Sequence, residues 1–133
     1  MRALDRVAQQ DLEIEDWLLI ALHLSGGLPS RLHVQKLFFL LAQHSEYFRE
    51  KLEFEPYQLG PWSEEVNDRL DTLIGSGYIA KNEEGLRPTP KGEQLARELI
   101  DRVRLLGLEG EEELVKEWGS FVARMSADEL LLY

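Results

Sequence analysis

The sequence predicts a mainly helical fold with one small β-hairpin. Apolar residues recur at intervals of three and four along most of the chain, which is the spacing of helix faces that pack on a core. Residues 78–88 show a different pattern, in which two short runs flank a turn and predict paired strands. A length of 133 residues with 44% hydrophobic residues is enough for one domain that builds its own core.

Two apolar helices are predicted in the N-terminal part of the chain. The first covers Leu12–Leu24 and ends at Gly26 and Gly27, which disfavour a continued helix. Its core-facing stripe contains Ile14, Trp17, Leu18 and Ala21. The second covers about Leu32–Arg49 and is apolar on more than one face, so we expect it to be the central helix, with neighbours on several sides.

A short extended segment and a sharp turn separate these helices from the next one. Alternation of apolar and polar residues predicts an edge strand over Leu52–Tyr57, closed by Pro56. Gly60 and Pro61 then break the chain, and Ser63 is predicted to cap a third helix. The apolar face of that helix contains Val66, Leu70, Leu73 and Ile74.

The elements that follow are arranged as in a winged helix. Residues 78–81 and 86–88 are predicted strands joined by a turn at 82–85. Thr89 is placed to cap the next helix, and Pro90 opens it at a position where a missing N–H costs nothing. Helices followed by a small hairpin and a further helix predict a single winged-helix-like domain over residues 1–133, whose core covers about residues 12–106.

Additional helices are predicted at the C-terminus, over about residues 111–133. A helix over Glu111–Met125 would turn an inner face to the core that contains Leu114, Trp118, Phe121, Val122 and Met125. Ser126 and Glu129 form a capping box that begins a last short helix. We expect its apolar ending, Leu130–Tyr133, to pack onto the domain or onto a second subunit.

Composition excludes several classes of chemistry. The chain has no cysteine, which excludes disulfides, thiol nucleophiles and Cys-based metal sites. His33 and His44 are 11 residues apart, about 16 Å along a continuous helix, so they cannot share a metal ion. No nucleophile elbow or phosphate-binding loop occurs, and we expect no enzyme activity, cofactor or metal. The start of the chain lacks an apolar signal core, so we expect a cytoplasmic protein without membrane contact.

The net charge of −10 bears directly on nucleic-acid binding. DNA affinity depends on cations that neutralise phosphates, yet the helix before the hairpin would expose Glu64, Glu65, Asn67, Asp68, Arg69 and Asp71. Carboxylates in that position repel a phosphate backbone, which disfavours reading of a DNA groove. The alternative is a dimeric winged-helix transcriptional regulator that binds DNA through the wing, with candidate nucleic-acid-binding residues Lys81, Arg87 and Lys91.

Two motifs resemble those of the Panacea domain. Residues 33–43 read HVQKLFFLLAQ and are similar to its LQKLLY-x-A-Q helix, and residues 57–63 read YQLGPWS and are similar to its Gly-Pro turn. The resemblance covers roughly residues 14–80, and Trp62 replaces a residue that is small or β-branched in that family. It implies a helical, winged-helix-like domain of a kind associated with antitoxins, which neutralise toxins by direct protein contact.

We therefore expect a non-catalytic protein-interaction or regulatory module that resembles antitoxins and binds a toxin or a regulatory complex. The candidate partner-binding residues are Lys36, Tyr57, Gly60, Pro61, Trp62 and Ser63. Aromatic residues are enriched at interface hot spots, although Trp62 is equally compatible with a place in the core. A homodimer and a structural subunit of a larger complex are further interpretations.

Overall fold

The chain forms seven helices and one two-stranded sheet within residues 11–56 and 60–132, which the computed structural model describes. The elements are α1 (Ile14–Ser25), α2 (Arg31–His44), α3 (Glu46–Lys51), α4 (Glu64–Gly75), β1 (Ile79–Asn82), β2 (Gly85–Pro88), α5 (Pro90–Leu105), α6 (Glu109–Ala123) and α7 (Ala127–Leu132). The fold is therefore mainly helical with a small antiparallel hairpin, as the sequence predicts. Within the same ranges, every helix is too short or too polar to cross a bilayer.

The hairpin and the helices around it have the element order of a winged helix. Strands β1 and β2 are antiparallel, with Ile79 opposite Pro88. Leu28, between α1 and α2, forms a single-residue bridge to Leu86 and extends the sheet by one short edge. The two N–H···O bonds of this bridge measure 2.8 and 3.0 Å, so the loop before α2 is held directly on the wing.

Helix α1 is enclosed on all sides. Six consecutive residues, Trp17 to Leu22, are at most 1% exposed, although the sequence predicted only one core-facing stripe. This helix contacts α4, α5, α6 and β2, which surround it. Helix α2, predicted to be central, is also largely buried and contacts α3, α4, α6 and α7. The core is thus built on two helices, and the C-terminal helices contribute Val115, Val122 and Leu130 to the same cluster of buried side chains.

The predicted caps are confirmed. Ser63 Oγ accepts the Val66 N–H at 3.3 Å, and Thr89 Oγ1 accepts the Gly92 N–H at 3.1 Å. Ser126 and Glu129 exchange reciprocal hydrogen bonds of 3.1 Å, which is a complete capping box. Each of these helix starts is determined by residues three positions apart, so it can be predicted from the local sequence.

The predicted second helix is divided in two. It was expected to continue to Arg49, but α2 ends at His44, and Ser45 has an extended backbone. The Ser45 hydroxyl accepts the Phe48 N–H and caps α3 instead. The break turns Phe48 into the core, where its ring lies edge-on to Trp17 with 5.0 Å between centroids.

Helix α6 is rotated relative to its predicted inner face. Val115, Gly119 and Val122 are buried, whereas Trp118 and Phe121 are only half-buried on the flanks. A Cβ at Gly119 would lie 3.4 Å from Ser25 Cβ, so the end of α1 packs closely against this glycine. Gly119 therefore belongs to the buried face of α6, which a count of apolar side chains overlooks.

Asp11 links the start of the described chain to α3. Its Oδ1 accepts the Tyr47 hydroxyl at 2.6 Å and the Leu12 N–H at 2.8 Å, and its Oδ2 pairs with Lys51. Burial disfavours ionisation of this carboxyl, but the hydrogen bonds from Lys51, Tyr47 and Leu12 outweigh burial and lower the pKa of Asp11 below 3.8. Burial and the neighbouring Asp11 carboxylate raise the pKa of Tyr47, so its hydroxyl remains a donor.

We predict that Asp11→Asn lowers the free energy of unfolding by about 1 kcal/mol at pH 7, because the half-exposed carboxylate loses charge-assisted bonds. Since the pKa is lower in the folded state, this stabilisation exists above pH 3.8 and is lost as the pH falls through the folded-state value. Urea unfolding at pH 7 and at pH 2.5–5 measures both effects. Asp101→Asn, at an exposed aspartate of α5, is the control. Equal stabilities of the two variants at pH 7 would contradict the prediction.

Candidate functional site

The turn at Gly60–Ser63 is held by backbone hydrogen bonds on one side. Glu55 and Trp62 form an isolated antiparallel bridge, with N–H···O distances of 2.8 and 2.9 Å. The predicted edge strand is therefore reduced to a single paired residue. Gly60 has φ of 117°, a conformation that residues with a side chain rarely adopt, which explains a glycine at this position.

The other side of the turn is held by Gln35 of α2. Its Nε2 donates to Ser63 O at 2.9 Å, and its Oε1 accepts the Ser63 N–H at 2.8 Å. The side-chain amide thus makes with Ser63 the two hydrogen bonds that the backbone of a neighbouring strand would make. Gln35 and Ser63 are both buried. Gln35 belongs to the quoted motif but was not predicted as a site residue. The signal for it in the sequence was a polar residue within an apolar helix, which needs a hydrogen-bond partner if it is buried.

The residue next to Gln35 brings α2, the turn and the last helix together. Lys36 and Pro61 line one groove, which we call the turn groove; its other lining residues are Leu32, Gln35, Phe39, Leu130 and Leu131. Two of the predicted partner-binding residues therefore meet, although 25 positions separate them in the sequence. Leu131 is 56% exposed, so the groove has an apolar rim open to solvent.

The remaining predicted partner-binding residues have different placements. Ser63 is 1% exposed and acts as cap and clamp, so it shapes the turn from inside. Trp62 is half-buried, and its backbone makes the bridge to Glu55. Tyr57 lies outside the described residues. The structure thus distinguishes groove-lining Lys36 and Pro61 from Gly60 and Ser63, which set the course of the backbone.

The exposed face of α4 is acidic, as predicted. Glu64, Glu65, Asp68 and Asp71 are all exposed, and Asp71 Oδ1 pairs with Arg31 Nη2 at 2.6 Å. Arg31 Nη1 also donates to Asn67 Oδ1 at 2.8 Å, which ties the start of α2 to this face. The helix before the wing therefore presents carboxylates to any ligand that approaches it.

The three predicted nucleic-acid-binding cations do not form one patch. Ala80 pairs with Arg87 and Lys81 with Leu86, so Lys81 and Arg87 project from opposite faces of the hairpin. Arg87 pairs with Glu84 at 3.3 Å. Lys91 donates to Ser76 O at 3.1 Å and lies 4.2 Å from the centroid of the Tyr78 ring. Lys81 and Arg87 thus lie on opposite faces of the wing, and Lys91 lies at the start of α5, bonded to the residue that follows α4.

The histidines serve packing and helix connections. His33 is buried, its Nε2 donates to Met125 O at 2.8 Å, and its Nδ1 lies 2.7 Å from the Ser30 hydroxyl. Because a carbonyl only accepts, the Nε2 atom carries a proton, and in the neutral ring Nδ1 then accepts from Ser30. His44 stacks on Trp118 with 4.7 Å between ring centroids. In the part of the chain that the structure describes, no three His, Asp or Glu side chains converge as metal ligands would.

Comparisons of the chain with protein-family models, with curated proteins and with solved structures give no match.

We predict that Gln35→Leu destabilises the fold by about 1–3 kcal/mol, because it leaves the buried N–H of Ser63 without its partner, whereas the Ser63 C=O keeps the Asn67 N–H. Gln43→Leu, at an exposed position on the same helix, is the matched control and should change stability by less than about 0.5 kcal/mol. Urea unfolding measures both effects, and amide exchange at Ser63 reports the local loss. Similar stabilities for the two variants would mean that the amide does not hold the turn.

Proposed function

We propose that the chain is a non-catalytic protein-interaction module, antitoxin-like or regulatory, that binds a protein partner at the turn groove. The observation that carries the proposal is the meeting of Lys36, Pro61 and Leu131 in one groove. A rigid wall is supplied by the Gln35 clamp, so little backbone ordering is needed when a partner binds.

The groove has the chemistry of an anchor site for a side chain of another protein. Phe39 and Leu131 offer apolar contact, and Lys36 offers one cation to a carboxylate or a carbonyl at the edge. The groove is shallow, with a free volume of about 20 Å³, so a side chain of the partner would pack on its rim rather than fill it. The proposed partner therefore lays an apolar side chain against Leu131 and places an acceptor near Lys36.

A protein partner is favoured over nucleic acid by the distribution of charge. The exposed face of α4 is acidic, and Lys81 and Arg87 project from opposite sides of the wing. A phosphate backbone would meet carboxylates at the helix that usually enters the groove. Protein surfaces carry both signs of charge and can match this arrangement locally.

We predict that Leu131→Asp reduces partner capture by tenfold or more (about 1.4 kcal/mol), because it puts a charge on the apolar rim of the turn groove. Lys36→Ala should reduce capture about threefold. Affinity capture from a lysate of the source organism, quantified by mass spectrometry, measures both effects. A product of the neighbouring open reading frame among the captured proteins would favour the antitoxin-like role.

Two variants control this experiment. Leu105→Asp replaces a leucine that is 77% exposed at the end of α5, and Lys116→Ala replaces an exposed lysine of α6. Both should capture the partner as the wild type does. If all four variants capture equally well, with unchanged thermal melts, the turn groove is not the binding site.

The alternative hypothesis, a dimeric DNA-binding regulator, makes a different prediction. Duplex binding would fall steeply as salt rises and would be weakened by joint neutralisation of Lys81, Arg87 and Lys91. Under our proposal, fluorescence anisotropy with a labelled duplex at low salt shows no binding that depends on these cations. Salt-sensitive binding that the triple variant removes would replace our proposal with the alternative.

A further inference from the structure

A second groove lies beside α7, next to α6. We call it the α6–α7 groove; it is lined by Phe121, Arg124, Met125, Glu129 and Leu132 and has a volume of about 430 Å³. Leu131 lines the turn groove and Leu132 lines this one, because successive residues of a helix point about 100° apart. The last helix therefore separates two apolar surfaces.

The leucines of the apolar C-terminal ending, which was predicted to pack onto the domain or onto a second subunit, differ in their exposure. Leu130 is 4% exposed and packs into the core, whereas Leu132 is 89% exposed at the edge of the α6–α7 groove. Only three large hydrophobic residues within residues 11–56 and 60–132 are exposed, and two of them, Leu131 and Leu132, are adjacent. An apolar groove with an exposed leucine at its rim is typical of an interaction surface.

The charges of the groove identify the kind of partner that fits it. Arg124 and Glu129 contribute one cation and one carboxylate to the same lining. Each is oriented by its own backbone, since Arg124 Nε donates to Ser120 O at 3.2 Å and Glu129 Oε1 accepts the Ser126 N–H at 3.1 Å. One charge of each sign beside an apolar lining allows a copy related by a two-fold axis to pair each charge with its opposite.

We propose that the α6–α7 groove is a self-association site, where a second copy of the chain binds across a two-fold axis. The axis would place Arg124 against Glu129 of the partner subunit, and the same pair would occur again in the reverse sense. Leu132 would enter the apolar part of the facing groove, beside Phe121 and Met125 of the partner subunit. The symmetry doubles each contact, so a small groove gains two apolar insertions and two ion pairs.

The net charge of −10 sets the strength of this association. Two copies repel each other at long range, but at physiological ionic strength charges more than about 8 Å apart are largely screened. The groove itself carries one charge of each sign, so the local contact is not repulsive. We therefore expect a weak dimer, with a dissociation constant in the micromolar range.

Sedimentation equilibrium of the full chain over a range of concentrations tests the proposal. The wild type should show a monomer–dimer equilibrium, and Leu132→Asp should raise the dissociation constant at least about tenfold. Leu105→Asp is a matched control, because both leucines are exposed and each is the last residue of its helix. Dimerisation of Leu105→Asp should equal that of the wild type.

A charge exchange then tests the two-fold geometry. Arg124→Glu gives a groove with two carboxylates, and Glu129→Arg gives one with two guanidinium groups, so each variant alone should dimerise about threefold to tenfold more weakly. An equimolar mixture of the two should recover wild-type association, because every contact then joins opposite charges. Circular dichroism of each variant verifies that α7 still forms when the capping carboxylate is changed.

Several results would overturn the proposal. These are a wild type that remains monomeric at all concentrations, equal dimerisation of Leu132→Asp and Leu105→Asp, and a mixture that associates no better than its components. If Glu129→Arg does not fold, the comparison of Leu132→Asp with Leu105→Asp still decides whether the chain associates through the α6–α7 groove. Partner capture by Leu132→Asp should remain normal, since Leu132 does not line the turn groove, so the two proposals fail independently.

Discussion

The enclosure of α1 is the constraint on which the rest of the structure depends. Its central six residues have almost no exposed surface, so every neighbouring element must supply a covering face. A helix that is apolar on all sides is stable only inside a protein, and burial of a large apolar side chain contributes about 1.5–3 kcal/mol. Helices α4, α5 and α6 and strand β2 meet this requirement, and their opposite faces become the surface.

This constraint explains which parts of the fold the sequence predicts. Caps depend on residues three positions apart, so Ser63, Thr89 and Ser126 were interpreted correctly without knowledge of the tertiary structure. The buried face of α6 runs through Val115 and Gly119, and a glycine gives no apolar signal in the periodicity of the helix. The break at Ser45 was present in the sequence as a cap, but the apolar run around it concealed the signal.

The candidate site was predictable to a similar extent. The motif around Gly60 marked the turn, and the apolar run of α2 marked the helix, but nothing in the spacing joined them. Gln35 links the helix to the turn, because its amide bonds both the N–H and the C=O of Ser63. A buried amide in an otherwise apolar helix needs a partner, and sequence alone does not say which backbone group meets it. Leu131 lines the same groove, and His33 helps to position it by bonding Met125 O, between α6 and α7.

The C-terminal helix shows how an acidic protein can expose leucines without losing specificity. Leu130 packs into the core beneath the turn groove, Leu131 lies at the rim of that groove, and Leu132 lies at the rim of the α6–α7 groove. The net charge of −10 opposes close approach of most acidic chains, including other copies of this one in the wrong orientation. In both proposals the contact combines an apolar surface with a local match of charge, since association has to offset the freedom that the partners lose. Short-range complementarity at Lys36 in one groove, and at Arg124 with Glu129 in the other, would then select among partners that the overall charge repels equally.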